Sequence, residues 1–242
     1  MIFNLFKYKP TLKELIPKDF IDIHSHILPN IDDGSKNVQE SVLLIEKMKE
    51  MGFSKIIATP HTYPGLYQNT NDTIKESFKK IKNKIPSDIN VLYASEYLLD
   101  SSLIEKAEEK SILCLHSNYV LVEMSYLSPP NNLYEIIFKL QLNGYIPILA
   151  HPERYYFLHE DFKKYYELKR RGCKFQMNLL SSTFFYGKKI LNISNKLLEL
   201  DLINFVGSDI HNTKHIESFN LKVLLGKRGE FEKLINNNYL FD

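Results

Sequence analysis

The chain has 242 residues, of which 44% are hydrophobic and 25% are charged, and its formal net charge is +2. These ordinary globular values argue against a disordered or fibrous chain and against nucleic-acid binding through a basic surface. With only Cys114 and Cys173, neither a disulfide framework nor a cysteine zinc site is indicated, so a reducing, cytoplasmic location is expected. Lysines interrupt the apolar residues near the start, which argues against the apolar region of a signal peptide. No uncharged run approaches the ~20 residues of a membrane helix.

Helix-like and strand-like segments alternate along the chain, which is typical of an α/β fold with a parallel sheet. The first strand ends at His24. Ser35 is the predicted N-cap of a helix whose apolar side chains recur every three or four residues up to a stop at Gly52. The next predicted segments are a strand through Ile56 and Ile57, a helix over 72–84, a strand over 90–95, a helix over 102–110 and a short strand over 112–115.

The same alternation continues to the late part of the chain. Its predicted segments are a strand over 119–122, a helix over 132–143, a strand over 146–150, a helix over 161–171, a strand over 174–179, a helix over 188–200 and a strand over 204–206. About seven strand and helix units result, without a linker rich in Pro, Gly or Ser. We therefore predict one barrel domain over residues 20–242, preceded by an N-terminal extension over residues 1–19.

Potential metal ligands recur at the ends of the predicted strands. They are His24, His26, Asp33, His61, Glu96, Glu123, His151, Asp209 and His211. In a barrel of parallel strands the C-terminal strand ends converge on one face, so ligands that are remote in sequence meet there. Imidazoles and carboxylates gathered in this way predict a multinuclear metal centre.

Two ligand pairs have the same spacing. His24 and His26 are two residues apart on an extended strand end, and so are Asp209 and His211, so each pair directs two side chains to one side of the chain. An isolated histidine of this kind is more often a hydrogen-bonded core or turn residue. That explanation would have to hold repeatedly here, so metal binding is favoured.

The acidic candidates have alternative explanations. Glu96 and Glu123 end mostly apolar runs, where a carboxylate needs a compensating cation unless it is exposed just past the strand. Asp33 belongs to the sequence Asp32-Asp33-Gly34, which is first of all a turn signal. Turn chemistry alone does not decide whether Asp32 or Asp33 is the ligand.

Arg154 lies three residues beyond His151. Its planar guanidinium suits two-pronged donation to phosphate oxygens, whereas a lone arginine is usually solvated. Proximity to the predicted centre favours the phosphate-binding role. His116, His159 and His215 lie outside the strand-end pattern, and the first two are assigned to surface or structural positions.

Aromatic side chains crowd several loops that are expected at the rim of the barrel. They are Tyr63, Tyr67, Tyr155, Tyr156, Phe157, Phe184, Phe185 and Tyr186. They could sandwich an aryl ring, although core packing and ordinary surface aromatics explain such clusters slightly better.

Six motifs together resemble the polymerase and histidinol phosphatase (PHP) superfamily, and within it the bacterial tyrosine phosphatases of capsular and exopolysaccharide operons. The motifs are DIHSHILPNIDDG at 22–34, ATPH at 58–61, SE at 95–96, VE at 122–123, AHPER at 150–154 and SDIHN at 208–212. The resemblance implies a distorted parallel (β/α)7 barrel. It also implies three divalent ions at the C-terminal mouth of the strands, manganese or iron with zinc as the alternative.

The resemblance also implies which residues bind each ion. One ion would be held by His24, His26, Glu96 and Asp209, a second by Glu96, Glu123 and His151, and a third by Asp33, His61 and His211. Arg154 matches a family arginine that contacts the phosphate. The family often has another arginine shortly after the Asp-x-His motif, where this chain has Lys214, His215 and Ile216.

The function implied by the resemblance is that of a metal-dependent protein-tyrosine phosphatase using a metal-bridging hydroxide. Its partner would be the phosphorylated C-terminal tail of a membrane-anchored tyrosine autokinase in capsule or exopolysaccharide synthesis. The alternatives are a phosphatase of histidinol phosphate or another small phosphomonoester, a metal-dependent amidohydrolase, and a non-enzymatic adaptor. A cysteine phosphatase needs Cys-x5-Arg, but Val120 and Leu179 stand at that offset from Cys114 and Cys173.

Overall fold

The computed structural model describes residues 8–242, in which strands and helices alternate as predicted. The strands are β1 Phe20–Asp22, β2 Phe53–Ala58, β3 His61–Thr62, β4 Asn90–Tyr93, β5 Glu96–Leu98, β6 Tyr119–Glu123, β7 Ile146–Ala150, β8 Lys174–Asn178 and β9 Phe205–Gly207. The helices are α1 Leu12–Leu15, α2 Val38–Glu50, α3 Asn71–Lys82, α4 Ser101–Glu108, α5 Leu133–Leu142, α6 Tyr156–His159, α7 Lys163–Arg170, α8 Gly187–Glu199, α9 Thr213–Ser218 and α10 Arg228–Asn237. Across the described chain, none of these helices combines the length and apolar character needed to cross a membrane.

Every pairing between these strands is parallel. One sheet has the order β1-β2-β4, and the other has the order β3-β5-β6-β7-β8-β9. Only residues 59–60 separate β2 from β3, and only residues 94–95 separate β4 from β5. Each of these pairs therefore runs as one interrupted strand from the first sheet into the second, which gives the arrangement a barrel-like course.

The two sheets also meet where β1 and β9 run out. Ser25 and Ile210 form an isolated parallel bridge there. The Asp209 N–H donates to the His24 carbonyl at 2.8 Å, and the His26 N–H donates to the Ile210 carbonyl at 2.9 Å. The predicted α/β fold with parallel strands is confirmed, but the barrel is not closed by a continuous ladder.

Tertiary packing displaced some predicted element ends. The predicted N-cap Ser35 is wrong: the Asn37 side chain accepts the Glu40 N–H at 2.9 Å, while the buried Ser35 hydroxyl donates to the Asn37 carbonyl. The predicted strand over 112–115 is also wrong. There the Leu113 N–H donates to the hydroxyl of Tyr97 at 2.9 Å instead of joining a ladder.

The described part of the predicted N-terminal extension packs against the late part of the chain. The Leu12 N–H donates to the Leu221 carbonyl, and the Val223 N–H donates to the Pro10 carbonyl, both at 2.9 Å. Leu12 is fully buried. Residues 1–7 lie outside the described residues, and the proposed boundary at residue 19 stays a prediction.

Residues 238–241 pack against the inner core. Phe241 packs with apolar side chains from several strands, and its ring lies 5.0 Å from that of Phe205. Lys55 donates to the Phe241 carbonyl at 2.7 Å, and the Asn238 amide donates to the carbonyls of Ile21 and Val206. These contacts leave the opposite, C-terminal strand ends free for a site.

Candidate metal centre

The nine predicted ligands lie at or after the C-terminal ends of β1, β2, β4, β6, β7 and β9, and the short strands β3 and β5 continue the course of β2 and β4. His24 and His26 follow β1, Asp33 is on the loop after them, His61 begins β3, Glu96 begins β5, Glu123 ends β6, His151 follows β7, and Asp209 and His211 follow β9. These positions meet at one mouth because the parallel strands all run in the same direction.

Glu96 is the centre of the cluster. Its fully buried carboxylate approaches four imidazoles. Oε2 lies 3.2 Å from His24 Nε2, 3.4 Å from His26 Nε2 and 3.1 Å from His61 Nδ1. Oε1 lies 3.1 Å from His151 Nε2. A carboxylate that meets ligands on both of its oxygens has the placement needed to bridge two cations.

Four overlapping groups of side chains have ligand atoms within 4.8 Å of one another. They are His26 with Asp33, His61 and His211; His24 with His151 and Asp209; His24 with His26 and Glu96; and His61 with Glu96 and Glu123. All nine predicted ligands are included. Because the groups share side chains, the division of the ligands among three ions stays a prediction.

The His61 and Glu123 side chains fit cation binding. His61 Nδ1 and Glu123 Oε1 are 2.8 Å apart, yet within the described chain neither atom has a hydrogen-bond partner of acceptable geometry. Burial and His26 oppose protonation of His61, but the Glu96 and Glu123 carboxylates outweigh them and raise its pKa to about 10. The position therefore favours a positive charge, which a metal ion supplies as well as a proton does.

Several ligands have the protonation state that metal binding requires. Burial lowers the pKa of both His151 and His211 to about 4, so both imidazoles are neutral at pH 7. Burial opposes ionisation of Glu96 and Asp209, but the combined attraction of His24 and the other neighbouring cationic side chains outweighs it and holds both pKa values well below their usual range. Neutral imidazoles and ionised carboxylates fit divalent cations.

The structure separates the two adjacent aspartates. Asp33 Oδ1 lies 3.4 Å from His61 Nε2 and 3.6 Å from His211 Nε2, among the candidate ligand atoms. The Asp32 carboxylate instead contacts His26 Nδ1 at 2.8 Å and accepts the Gly34 N–H at 2.9 Å. This geometry supports Asp33 as the ligand and places Asp32 behind His26.

A sequence profile of the family described as capsular polysaccharide synthesis, CpsB/CapC, matches residues 20–219. The chain belongs to the CpsB/CapC family. The resemblance drawn from the six motifs is therefore confirmed.

Named relatives support the same membership. The chain is 34% identical over 198 residues to the tyrosine-protein phosphatase YwqE of Bacillus subtilis strain 168, covering 80% of this chain and 78% of that protein. It is 32% identical over 201 residues to the tyrosine-protein phosphatase CpsB of Streptococcus pneumoniae, covering 79% and 83%. A crystal structure from work on YwqE and CpsB, described as metal-dependent tyrosine phosphatases, has a TM-score of 0.79 at 30% identity and covers 91% of this chain and 93% of that one.

In this CpsB/CapC chain a tight turn places Arg154 beside the centre. His151 has φ 35°, and its carbonyl accepts the Arg154 N–H at 2.9 Å. Arg154 Nη1 then reaches Asp209 Oδ2 at 2.9 Å. The guanidinium carbon lies 4.8 Å from the centroid of the Tyr126 ring and 4.6 Å from that of Tyr186. The guanidinium is thus held between two rings and a carboxylate.

Strand β8, which carries no predicted ligand, supports the ligands of its neighbours. Gln176 Oε1 lies 2.7 Å from His24 Nδ1, and the Asn178 amide donates to Asp209 Oδ2 at 2.6 Å. Gln176 fits in this place because residue 207 is a glycine. A side chain at position 207 would put its Cβ atom 2.7 Å from the His24 Cβ and 2.8 Å from Gln176 Nε2, which is too close. Neither side chain is among the residues predicted from the sequence, although a spacing of two on a buried strand is a usable signal.

The candidate ligands border a cavity of about 280 Å³, here called the metal pocket. Its lining consists of Asp33, His61, Tyr126, His151, Arg154, Tyr186, Asp209, His211, Asn212 and His215. A larger cavity of about 800 Å³ lies between residues 8–10 and 223–230 and includes none of the predicted ligands. The chemistry of the lining, and not cavity size, therefore locates the site.

His215 belongs to the site although the sequence pattern left it unassigned. Its Nδ1 lies 3.0 Å from the Asp209 carbonyl oxygen, and the His211 N–H donates to the same nitrogen at 3.3 Å. His116 is exposed, and the His159 Nε2 lies 2.7 Å from the Glu153 carbonyl. His116 thus has the predicted surface position, and His159 has a structural contact.

Proposed function

We propose that this protein is a metal-dependent protein-tyrosine phosphatase, which hydrolyses phosphotyrosine to tyrosine and inorganic phosphate. The observation that carries the proposal is the convergence of four carboxylates, five imidazoles and Arg154 on one mouth of the fold. The relatives named tyrosine-protein phosphatases and the structure described as metal-dependent support it. They do not favour a histidinol-phosphate phosphatase or an amidohydrolase.

The proposal includes three divalent ions, manganese or iron with zinc as the alternative. The nine candidate ligands would hold them, with Glu96 shared between two. Bound ions would neutralise phosphoryl charge and supply a water-derived nucleophile near neutral pH. The orphaned atoms of His61 and Glu123 and the ionised state of Glu96 and Asp209 support this donor set.

Arg154 would bind the substrate phosphoryl group. Its Nη1 is engaged by Asp209, so the guanidinium plane has a defined orientation at the edge of the metal pocket. A planar fork held in this way donates to two phosphoryl oxygens at once. A phenolic leaving group has a pKa of about 10, so the reaction depends less on a strong acid than hydrolysis of an alkyl phosphate does.

We further propose that the physiological substrate is the phosphorylated C-terminal tail of a membrane-anchored tyrosine autokinase, on the cytoplasmic side of the membrane. The description of the matching family as capsular polysaccharide synthesis supports this assignment. A phosphorylated tail of that kind should be dephosphorylated faster than an unrelated phosphotyrosine peptide.

One experiment tests cofactor and chemistry together. The metal content of the purified protein is measured by elemental analysis. Phosphate release is measured on matched phosphotyrosine and phosphoserine peptides and on histidinol phosphate, and ring opening is measured on a cyclic amide. We expect bound divalent metal and turnover of the phosphotyrosine peptide above the other substrates. Metal-loaded protein that is inert toward every phosphate ester, or that prefers histidinol phosphate or the amide, would contradict the proposal.

A further inference from the structure

A second cavity adjoins the metal pocket. It has a volume of about 260 Å³ and is lined by Tyr126, Arg154, Tyr156, Tyr186 and Ile190. Three of these residues, Tyr126, Arg154 and Tyr186, also line the metal pocket. We call this second cavity the aryl chamber. The two cavities therefore meet across one guanidinium and the two rings that enclose it.

The aryl chamber differs in chemistry from the metal pocket. Apart from Arg154, its lining is three tyrosine rings and the buried side chain of Ile190. Tyr126 connects the two cavities, because its ring stacks on that of His151 at 5.6 Å and its hydroxyl lies 3.5 Å from His151 Nδ1. A charged compartment and an aromatic compartment thus lie side by side.

We propose that the aryl chamber binds the aromatic ring of the phosphate ester while the metal pocket holds its phosphoryl group. The inference rests on the proposed phosphatase function and extends it to substrate selection. In an aryl phosphate a single oxygen joins phosphorus to the ring, so the ring must occupy space directly adjoining the phosphate. Tyrosine rings provide edge and face contacts for such a ring, whereas a short alkyl group leaves them unfilled.

The hydroxyl of Tyr186 is available where the cavities meet. In the described part of the chain this buried hydroxyl has no hydrogen-bond partner. The neighbouring Asn178 amide already donates to Asp209 Oδ2 and accepts from Gln176. Burial raises the pKa of Tyr186, so its hydroxyl keeps its proton at neutral pH. A substrate oxygen at the junction would satisfy this donor.

The outer wall of the aryl chamber is open. Tyr156 is 51% exposed, and the Lys189 Nζ lies 4.5 Å from the centroid of its ring, which holds the ring from the side of α8. An open wall at this position lets the main chain attached to a tyrosine ring leave toward solvent. The aryl chamber therefore suits the phosphotyrosine of a protein as well as a free aryl phosphate.

Binding of two non-hydrolysable phosphonates to the metal-loaded protein tests the proposal. Benzylphosphonate carries a ring and ethylphosphonate does not, and calorimetry measures both dissociation constants. For Tyr156→Ala we expect the constant for benzylphosphonate to rise about two- to tenfold, the loss typical of one aromatic contact, with little change for ethylphosphonate. Tyr156→Phe should retain wild-type binding because the ring, and not its hydroxyl, makes the contact.

Tyr166→Ala is the matched control. Tyr166 is 42% exposed, belongs to α7 and lines neither cavity, so its removal should leave both constants unchanged. The proposal is overturned if Tyr156→Ala weakens both phosphonates equally or neither. Binding of phosphotyrosine peptides provides a further check. The proposal is also overturned if Tyr156→Ala weakens the binding of only those peptides that carry an additional aromatic residue, since the aryl chamber would then hold a flanking side chain.

The binding test is independent of turnover. Ring-dependent binding that is lost in Tyr156→Ala, in a protein that hydrolyses no phosphotyrosine peptide, would reject the proposed phosphatase function and leave the aryl chamber supported. If the protein hydrolyses phosphotyrosine but the dissociation constant of neither phosphonate depends on Tyr156, the phosphatase function is supported and the aryl chamber is rejected.

Discussion

Asp32 Oδ2 lies 2.8 Å from Nδ1 of His26, while Nε2 of the same imidazole lies 3.4 Å from both Glu96 Oε2 and Asp209 Oδ1. The carboxylate of Asp32 therefore stands behind the imidazole, where it accepts a hydrogen bond from Nδ1–H. With Nδ1 engaged in this way, Nε2 is the nitrogen that would face a bound cation. A carboxylate behind a metal-binding histidine fixes its tautomer and increases its basicity.

We expect Asp32→Asn to lower metal affinity about tenfold, the lower end of the usual range for such partners. The amide oxygen still accepts a hydrogen bond but no longer offers a full negative charge to the imidazole. Competition with a chromophoric chelator measures the affinity. Asp88→Asn is the control, because Asp88 is an exposed residue paired with Lys49. Equal affinities for the two variants would show that Asp32 does not support the centre.

Asp209→Asn should lower metal content and turnover together, each by roughly tenfold or more. The carboxylate lies 3.3 Å from His24 Nε2, contacts Arg154 and accepts the Asn178 amide, so neutralising it removes a charge that three groups share. Elemental analysis and a phosphotyrosine assay on the same preparation provide the two readings. Full occupancy with full activity would contradict the ligand role.

For Arg154→Ala we expect normal metal content but a kcat/KM for phosphotyrosine peptide lower by about 10²–10³, the usual cost of losing one donor to a developing negative charge. Arg154→Lys should recover only part of the rate, because an ammonium retains the charge without the planar fork. An unchanged kcat/KM in the alanine variant would remove Arg154 from the mechanism.

Glu153 gives the fold a pH dependence. Its carboxyl group is fully buried and accepts the Asn178 N–H at 2.9 Å and the Ser181 hydroxyl at 2.6 Å. Burial outweighs these hydrogen bonds and raises the pKa from 4.5 to about 7. Between these values the folded state keeps a proton that the unfolded chain releases, so the free energy of unfolding falls as pH rises through this window.

Glu153→Gln should remove this contribution, which is on the order of 3 kcal/mol. The variant should therefore gain stability relative to the wild type on going from pH 5 to pH 8. Urea denaturation at both pH values, with a chelator present so that metal binding does not contribute, measures the difference. If the free energies of unfolding of the wild type and the variant differ by the same amount at both pH values, Glu153 does not titrate in this range.

Much of the fold was predictable because its signals are local. The stop at Gly52 needs only a residue that tolerates the observed φ of 110°. The N-cap was harder to predict. Ser35 and Asn37 are both good capping residues, and what separates them is the burial of Ser35, whose hydroxyl also contacts that of Ser41 at 2.8 Å. Such a choice depends on packing and not on propensity.

The sequence by itself determined the class of fold and the candidate ligands, because hydrophobic alternation and metal-binding residue types at strand ends are properties of short segments. The family resemblance already favoured Asp33 over Asp32, but only the tertiary structure showed Asp32 behind His26 and Asp33 beside His61, and only it placed Gln176, His215 and Tyr126 at the site. Those assignments depend on distances between residues far apart in the chain. Local patterns do not encode such distances, because they arise only when parallel strands bring their ends to a common mouth.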